Sequence, residues 1–327
     1  MSSPSHRPSV VVVGGGHGCS RSLAALRRLD VARTAVVTVA DDGGSSGRLR
    51  RDHDVVALGD LRMAMLALAT DVGDGSSGTV AALARRRFAR GELAGHSLGN
   101  LLLLGLLEEH GGDLGAALSA FGVLVGADGD VLPVTHEPVT LVAETDTGTV
   151  AGQAAVSTTR RIHRVRIDPP DATLGPGVAE AIAAADLVLL GPGSLYTSVL
   201  PVLLVPGMAE ALKATSARVV LIGNLREQPG ETEGMHLAEH AEALHQHVDG
   251  LRIDAVLAHE RAARRAAAAD ARDPLAIDEP RLLRSVGAII RGDLGDELDG
   301  HDPERLAGAV ERLLVGIALD EAGRAGR

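Results

Sequence analysis

The chain has 327 residues, a formal net charge of −11, 45% hydrophobic residues, and aromatics limited to one Tyr and two Phe. Its core must therefore come from Ala, Val, Leu and Ile, the makeup of an α/β protein. Without an extended basic tract or aromatic stacking platforms a nucleic-acid surface is not expected, and the single Cys19 rules out an intramolecular disulfide or a multi-cysteine zinc site.

The β-branched run Val10–Val13 reads as a central parallel strand, and it is followed by Gly14, Gly15, Gly16, His17 and Gly18. A helix is expected from Ser20 to Leu29. Glycines at the carboxyl end of such a strand let the backbone approach a ligand, and the next helix aims free N–H groups at the same spot, which makes an anion site. The third glycine of a G-x-G-x-x-G fingerprint would fall at position 19, where the chain has Cys19, so an NAD-dependent oxidoreductase is a weaker reading. A second strand, Thr34 to Ala40, leads into Asp41, Asp42, Gly43, Gly44, Ser45, Ser46, Gly47 and Arg48. The two carboxylates stand roughly 20 residues past the turn, where a Rossmann protein places the group that grips ribose hydroxyls. The glycines are expected to form a nest of N–H groups, with Ser45, Ser46 and Arg48 as further anion donors.

Asp60 reads as the N-cap of the next helix, with Arg62 near the same pocket, and Asp60 with Asp41 or Asp42 would complete a metal or hydroxyl site. Asn100 stands at the start of an apolar helix, Leu101–His110, whose run Leu101–Leu107 is core or a contact between copies in a homo-oligomer. Residues 134–167 shift to short alternating β segments and read as an antiparallel insertion. A third core strand, Leu187–Leu190, ends in Gly191, Pro192, Gly193, Ser194, Leu195, Tyr196, Thr197 and Ser198, and a fourth, Val219–Gly223, in the polar loop Asn224–Thr232. In an open parallel sheet these loops share one carboxyl edge, where ligands bind. His236-Leu237-Ala238-Glu239-His240 matches the zinc pattern H-x-x-E-H, but the segment is His-rich and no third ligand follows. An exposed helix is expected over residues 262–271, a late strand over 286–291, and a closing helix from Glu304 to Leu314, with Asp302 as N-cap.

The expected fold is a Rossmann-like, doubly wound α/β domain with a mainly parallel sheet and a small antiparallel insertion. It covers residues 9–317, between a flexible tail at 1–8 and a patternless tail at 318–327. The first eight residues lack the apolar stretch of a secretion signal and the longest apolar runs are too short to span a bilayer. A cytoplasmic protein without membrane insertion is therefore expected.

Gly14–Gly18, Val39–Arg50, Gly59-Asp60 with Arg62, and His96–Asn100 resemble the CofD-like superfamily, and within it the YvcK branch of gluconeogenesis factors. So do Gly191–Ser198, Gln228–Thr232 and His301-Asp302. The resemblance implies a binding protein for UDP-sugars such as UDP-N-acetylglucosamine that influences carbon use and cell-wall or cell-shape maintenance, in a branch to which no catalytic turnover is firmly attached. In that reading the diphosphate lies over Gly14–Gly18, with Ser45, Ser46 and Arg48 closing on it. Asp41 or Asp42 holds the ribose, and Ser194–Thr197 face the base or sugar. The alternative implied by the CofD relatives is a Mg²⁺-dependent transferase that moves a phospholactyl-type group onto the deazaflavin Fo, with Asp42 and Asp60 as magnesium and acceptor-hydroxyl residues. Two positions depart from the family pattern: His17 stands where Thr is usual, and Asn224-Leu225-Arg226-Glu227 replaces Met-Thr before Gln228.

Overall fold

A computed structural model describes residues 7–69, 71, 75–260, 275–296 and 300–325. Seven strands form one sheet in which every pairing is parallel. They are β1 (Ser9–Gly14), β2 (Ala32–Val37), β3 (Asp130–Pro133), β7 (Leu187–Leu190), β8 (Arg218–Ile222), β9 (Ala255–His259) and β10 (Ile289–Gly292). Between β3 and β7 the insertion folds as a separate antiparallel sheet of β4 (Thr140–Thr145), β5 (Gly148–Ala151) and β6 (Ile162–Asp168), with β4 in the middle. β1 and β7 are completely buried from Val10 to Val13 and from Leu187 to Leu190. Runs of this kind form strands because β-branched and aliphatic chains pack well on both faces of a covered sheet, where each fully buried side chain contributes about 1.5–3 kcal/mol.

Six helices carry the site or its support: α1 (Gly16–Leu26), α2 (Gly44–His53), α3 (Gly59–Leu68), α4 (Gly75–Arg85), α5 (Leu98–Glu109) and α6 (Leu114–Val125). α1 packs on α3 and on the closing helix Pro303–Ala325, while α5 packs on α6 and α4 on both. Most of the stretch Leu101–Leu107 is core, with Leu103, Leu104 and Leu107 buried. The closing helix begins after Asp302, which accepts from the Glu304 and Arg305 N–H groups. It then runs to Ala325. The segment from 318 is therefore helical rather than patternless: apart from Gly323 near its end it consists of Ala, Leu, Asp, Glu and Arg, with no proline, and Asp320 pairs with Arg218 at 2.9 Å. Residues 1–6 of the expected tail and the expected helix at 262–271 lie outside the described residues. No single helix among the described residues is long and apolar enough to cross a membrane.

The strand order is β10-β9-β8-β7-β1-β2-β3. The chain builds outward from β1 through β2 to β3, then returns to the other side of β1 and builds outward again. The reversal falls between β1 and β7, which are tied at their start by the Ser9 N–H donating to Asp186 Oδ2 at 2.7 Å. In open α/β sheets such a reversal opens a crevice above the carboxyl ends of the two strands.

Candidate functional site

Register brings the loops to one level. Gly14 lies opposite Val37 of β2, Val13 opposite Leu190 of β7, and Leu190 opposite Leu221 of β8. The chain after β1, β2, β7 and β8 thus leaves the sheet at a common rim. α1 starts at Gly16 with Gly15 as its extended cap, four residues earlier than expected, so Gly16, His17 and Gly18 form its first turn and His17 projects outward. The turn can begin so early because Gly18 presses directly on the Pro192 carbonyl, leaving no room for a Cβ. Likewise, a Cβ on Gly15 would stand 2.5 Å from Asp60 Oδ2 and 2.6 Å from Thr38 Cγ2. The β1 and β7 loops are interlocked through their backbones.

Asp60 is not the cap of α3. Leu58 holds that position without a side-chain bond, and Asp60, in the first turn, accepts from the Gly16 N–H. A carboxyl therefore sits at the start of α1, where a phosphate was expected. Burial, and then the neighbouring Asp41, push it up to about 7 against the opposing pull of Gly16 N–H and Arg62. Asp41 accepts from the Gly43 N–H at 2.9 Å. Asp42 turns away, accepting from the Ala154 N–H of the insertion at 2.8 Å, with Gly152 packed against it. The carboxylates brought together are Asp41 and Asp60, not the expected Asp42 and Asp60. No group of three His, Cys, Asp or Glu that could hold a metal occurs among the described residues. Two facing carboxylates still suit Mg²⁺, which takes its remaining ligands from water and substrate phosphates.

The Gly43–Arg48 segment is not a nest. α2 begins at Gly44, and Gly47 fits against the Asp42 carbonyl. Its first turn splits the donors expected to close on a diphosphate. Ser46 Oγ lies under Gly59, whereas Ser45 Oγ meets His96 Nδ1 and accepts from Asn100 Nδ2, both at 3.0 Å. Arg48 donates to the Ala94 carbonyl at 2.7 Å. α5 begins at Leu98 and is capped by Ser97, not by Asn100, whose Oδ1 is buried without a partner. Arg62 is buried on another face of α3 from Asp60, as residues two apart on a helix must be, and its Cδ lies 2.7 Å from where a Gly99 Cβ would stand. Its Nε has no partner, and burial followed by the proximity of Arg87 push its guanidinium down to about 10.

On the β7 side the loop winds into a π-helix, Leu195–Val199. Glu231 sits over its start, accepting from the Tyr196 N–H at 2.6 Å, the Thr197 N–H at 3.2 Å and the Thr197 hydroxyl at 2.9 Å. This draws Tyr196 and Thr197 inward, away from the position expected to face a base or sugar. Tyr196 instead meets the His247 ring edge-on at 6.1 Å and lines a cavity of about 430 Å³ with Arg160, Arg161, Glu231 and Arg281. Ser194 accepts from Gln228 Nε2 at 2.8 Å. Asn224, one of the departures from the family pattern, clamps Gly193 from both sides, accepting its N–H at 3.3 Å and donating to its carbonyl at 3.0 Å. Glu231 and Asn224 are the contributors that sequence reasoning left without a role. The signal was a Glu and an amide in a loop that follows a core strand, beside a glycine loop with free N–H groups. The zinc pattern resolves into helix capping: His236 and Glu239 form a capping box, while His240 is buried and held down at about 4 by desolvation. A further oversight is the short run Arg85-Arg86-Arg87-Phe88-Ala89-Arg90, whose four exposed cations the overall negative charge concealed.

Comparison with known proteins follows the same lines. The family profile described as 2-phospho-L-lactate transferase CofD matches residues 10–294. A Mycobacterium tuberculosis relative is 47% identical over 260 residues, 76% of this chain and 75% of its own. A Halalkalibacterium halodurans protein named gluconeogenesis factor is 39% identical over 291 residues, 86% of this chain and 88% of its own. A crystal structure of a member of the UPF0052 family from Bacillus halodurans superposes with a TM-score of 0.86 at 36% identity, covering 94% of this chain and 99% of that one.

Proposed function

The chain belongs to the CofD family and is related over most of its length to proteins named gluconeogenesis factor, and from that premise we propose that it is a cytoplasmic regulatory protein that binds a nucleotide sugar of the UDP-N-acetylglucosamine type. Its output would be carbon-source-dependent growth and maintenance of the cell wall and cell shape. The observation that carries the binding claim is the interlocking of the β1 and β7 loops at the strand reversal, which sets the glycine backbone of the first turn of α1 at the crevice, with Asp60 the side chain that meets it. Gly14–Gly18 would receive the diphosphate, Asp41 the ribose hydroxyls, and Ser194 the sugar or base. Calorimetry with UDP-N-acetylglucosamine, GDP and NAD in parallel, each with Mg²⁺, tests it. Binding of the UDP-sugar alone is expected, and tight GDP binding without it would reverse the reading.

One observation favours the transferase alternative. A carboxyl that titrates near neutral pH, as Asp60 does, is suited to take the proton of an acceptor hydroxyl as that oxygen attacks phosphorus. Bound Mg²⁺ would supply charge neutralisation at the phosphates, held by Asp41, which leaves Asp60 to the proton. Product formed from Fo and a guanylyl donor, and lost in Asp60→Ala, would establish it.

A further inference from the structure

Arg62 is only 7% exposed, its Nε has no hydrogen-bond partner, and among the described residues it makes no ion pair. Arg87 is near enough to act on it, and Arg48 stands with Arg87 about Gly95. Their guanidinium groups donate to the carbonyls of Ala94 and Gly95, and both add to burial in lowering the basicity of His96. Neither makes an ion pair with a described carboxylate, in a chain whose net charge is −11. The carbonyl contacts give Arg48 and Arg87 a bland explanation, tying down the loop before α5. Arg62 has none. An uncompensated buried cation is strongly unfavourable, and a packing role at that position would be met better by Met or Leu.

Two further details aim the group. The side chain crosses the first turn of α5 at Gly99, where the missing Cβ makes its room. In that turn the Leu98 N–H donates to the Arg86 carbonyl and the Asn100 N–H to Ser97, which leaves the Gly99 N–H, at the positive end of a twelve-residue helix, for a ligand. The neighbouring Asn100 is itself buried with its Oδ1 unpartnered. This cluster lies behind the glycine rim, on another face of α3 from Asp60 and beyond the Ser46–Gly59 contact, and is joined to the rim through the Ser45–Asn100 hydrogen bond.

We propose that Arg62, Arg48, Arg87 and the start of α5 form a second oxyanion site, distinct from the nucleotide rim, for a small multiply charged oxyanion of the phosphate or dicarboxylate class. The anion supplies the counter-charge that Arg62 lacks, and it takes over guanidinium hydrogen bonds now spent on Ala94 and Gly95. This assignment does not depend on which nucleotide, if any, the rim holds.

Thermal unfolding at matched ionic strength in chloride, inorganic phosphate and malonate tests it, with wild type, Arg62→Met and Arg87→Gln. Phosphate or malonate should raise the wild-type Tm relative to chloride, and the stronger of the two identifies the oxyanion class. Arg62→Met should be at least as stable as wild type in chloride, because it removes an unpaired buried charge, and should lose the anion response. Arg87→Gln alters an exposed residue and should weaken the anion about tenfold, read as a shift of the half-saturating concentration. An anion response indifferent to both variants would mean that the ion sits elsewhere, at the glycine rim, and would overturn the proposal. So would a wild-type protein that ignores both anions. Should Arg62→Met fail to fold, a ³¹P titration of wild type and Arg87→Gln with phosphate decides alone: equal affinities would sink the assignment.

Discussion

On the β7 side of the strand reversal, Glu231 absorbs two N–H groups and a hydroxyl, Asn224 brackets Gly193, and Gln228 holds Ser194. On the β1 and β2 side a carboxyl near pKa 7 rests on the start of α1, Arg62 has no counter-ion among the described residues, and Asn100 Oδ1 bonds to nothing. Both sides are built from glycine, hydroxyl and carboxylate residues. They differ in how far the protein completes its own hydrogen bonding: Gln228 Oε1 is left over on the first side, Arg62 Nε and Asn100 Oδ1 on the second, and buried polar groups are left unpaired only at a price in stability. The β7 loop, closed around Glu231, is thus the more nearly finished wall, whereas the β1 and β2 loops are arranged for partners from outside the chain.

Closing the gap between the two sides should have the largest effect. Gly18→Ala drives a methyl into the Pro192 carbonyl and pries the two loops apart. Nucleotide affinity is expected to fall about 100-fold or more, or roughly 2.7 kcal/mol, in calorimetry. Glu231→Ala attacks the wall itself. With three buried donors left unpaired, urea unfolding should show a loss of about 2 kcal/mol, with Glu231→Gln milder because it keeps acceptor capacity.

Asp60→Asn tests the unfinished side. A diphosphate arriving at the start of α1 disfavours a charged carboxylate there, so binding draws a proton onto Asp60 and, in the absence of Mg²⁺, weakens as pH rises from 6 to 8, by about tenfold. The variant should bind with little pH dependence. The same group links to stability in the same sense. Its folded pKa lies above the unfolded value of 3.8, so its favourable contribution is complete below that value and fades as pH climbs through about 7. Accordingly, Asp60→Asn should gain in Tm over wild type at pH 8 and lose that advantage near pH 4. The smallest change expected is Asn224→Ala, which removes two bonds from a half-buried loop and should lower stability by about 1 kcal/mol, measured by the same urea titration.

Strands were legible where burial left no choice: Val10–Val13 and Leu187–Leu190 lie within a residue of their expected limits because no other environment suits a continuous aliphatic run. Helix starts were not. Gly16–Gly18 and Gly44–Gly47 read as open loops, since glycine is a poor helix former, yet both segments are helical because close packing on Pro192 and on the Asp42 carbonyl excludes larger residues. At the candidate site the convergence of glycine loops on one rim was legible from the strand pattern, but the direction of each side chain was not. Asp41 and Asp42 are adjacent in sequence and face different partners, and Thr197 sits in a motif yet serves Glu231. Such divergences are settled by a residue far along the chain, Ala154 in one case and Glu231 in the other.

The hydrogen bond between Ser9 and Asp186 joins residues 177 apart, and the crevice opens between the strands that begin beside them. During synthesis the amino-terminal half would leave the ribosome with β1 lacking a neighbour on one flank, and no ligand-binding cleft could exist until β7 docks there. A nucleotide captured at this seam would therefore report that the chain has been made and folded at least through β7, and a fragment ending before Leu187 should be blind to it.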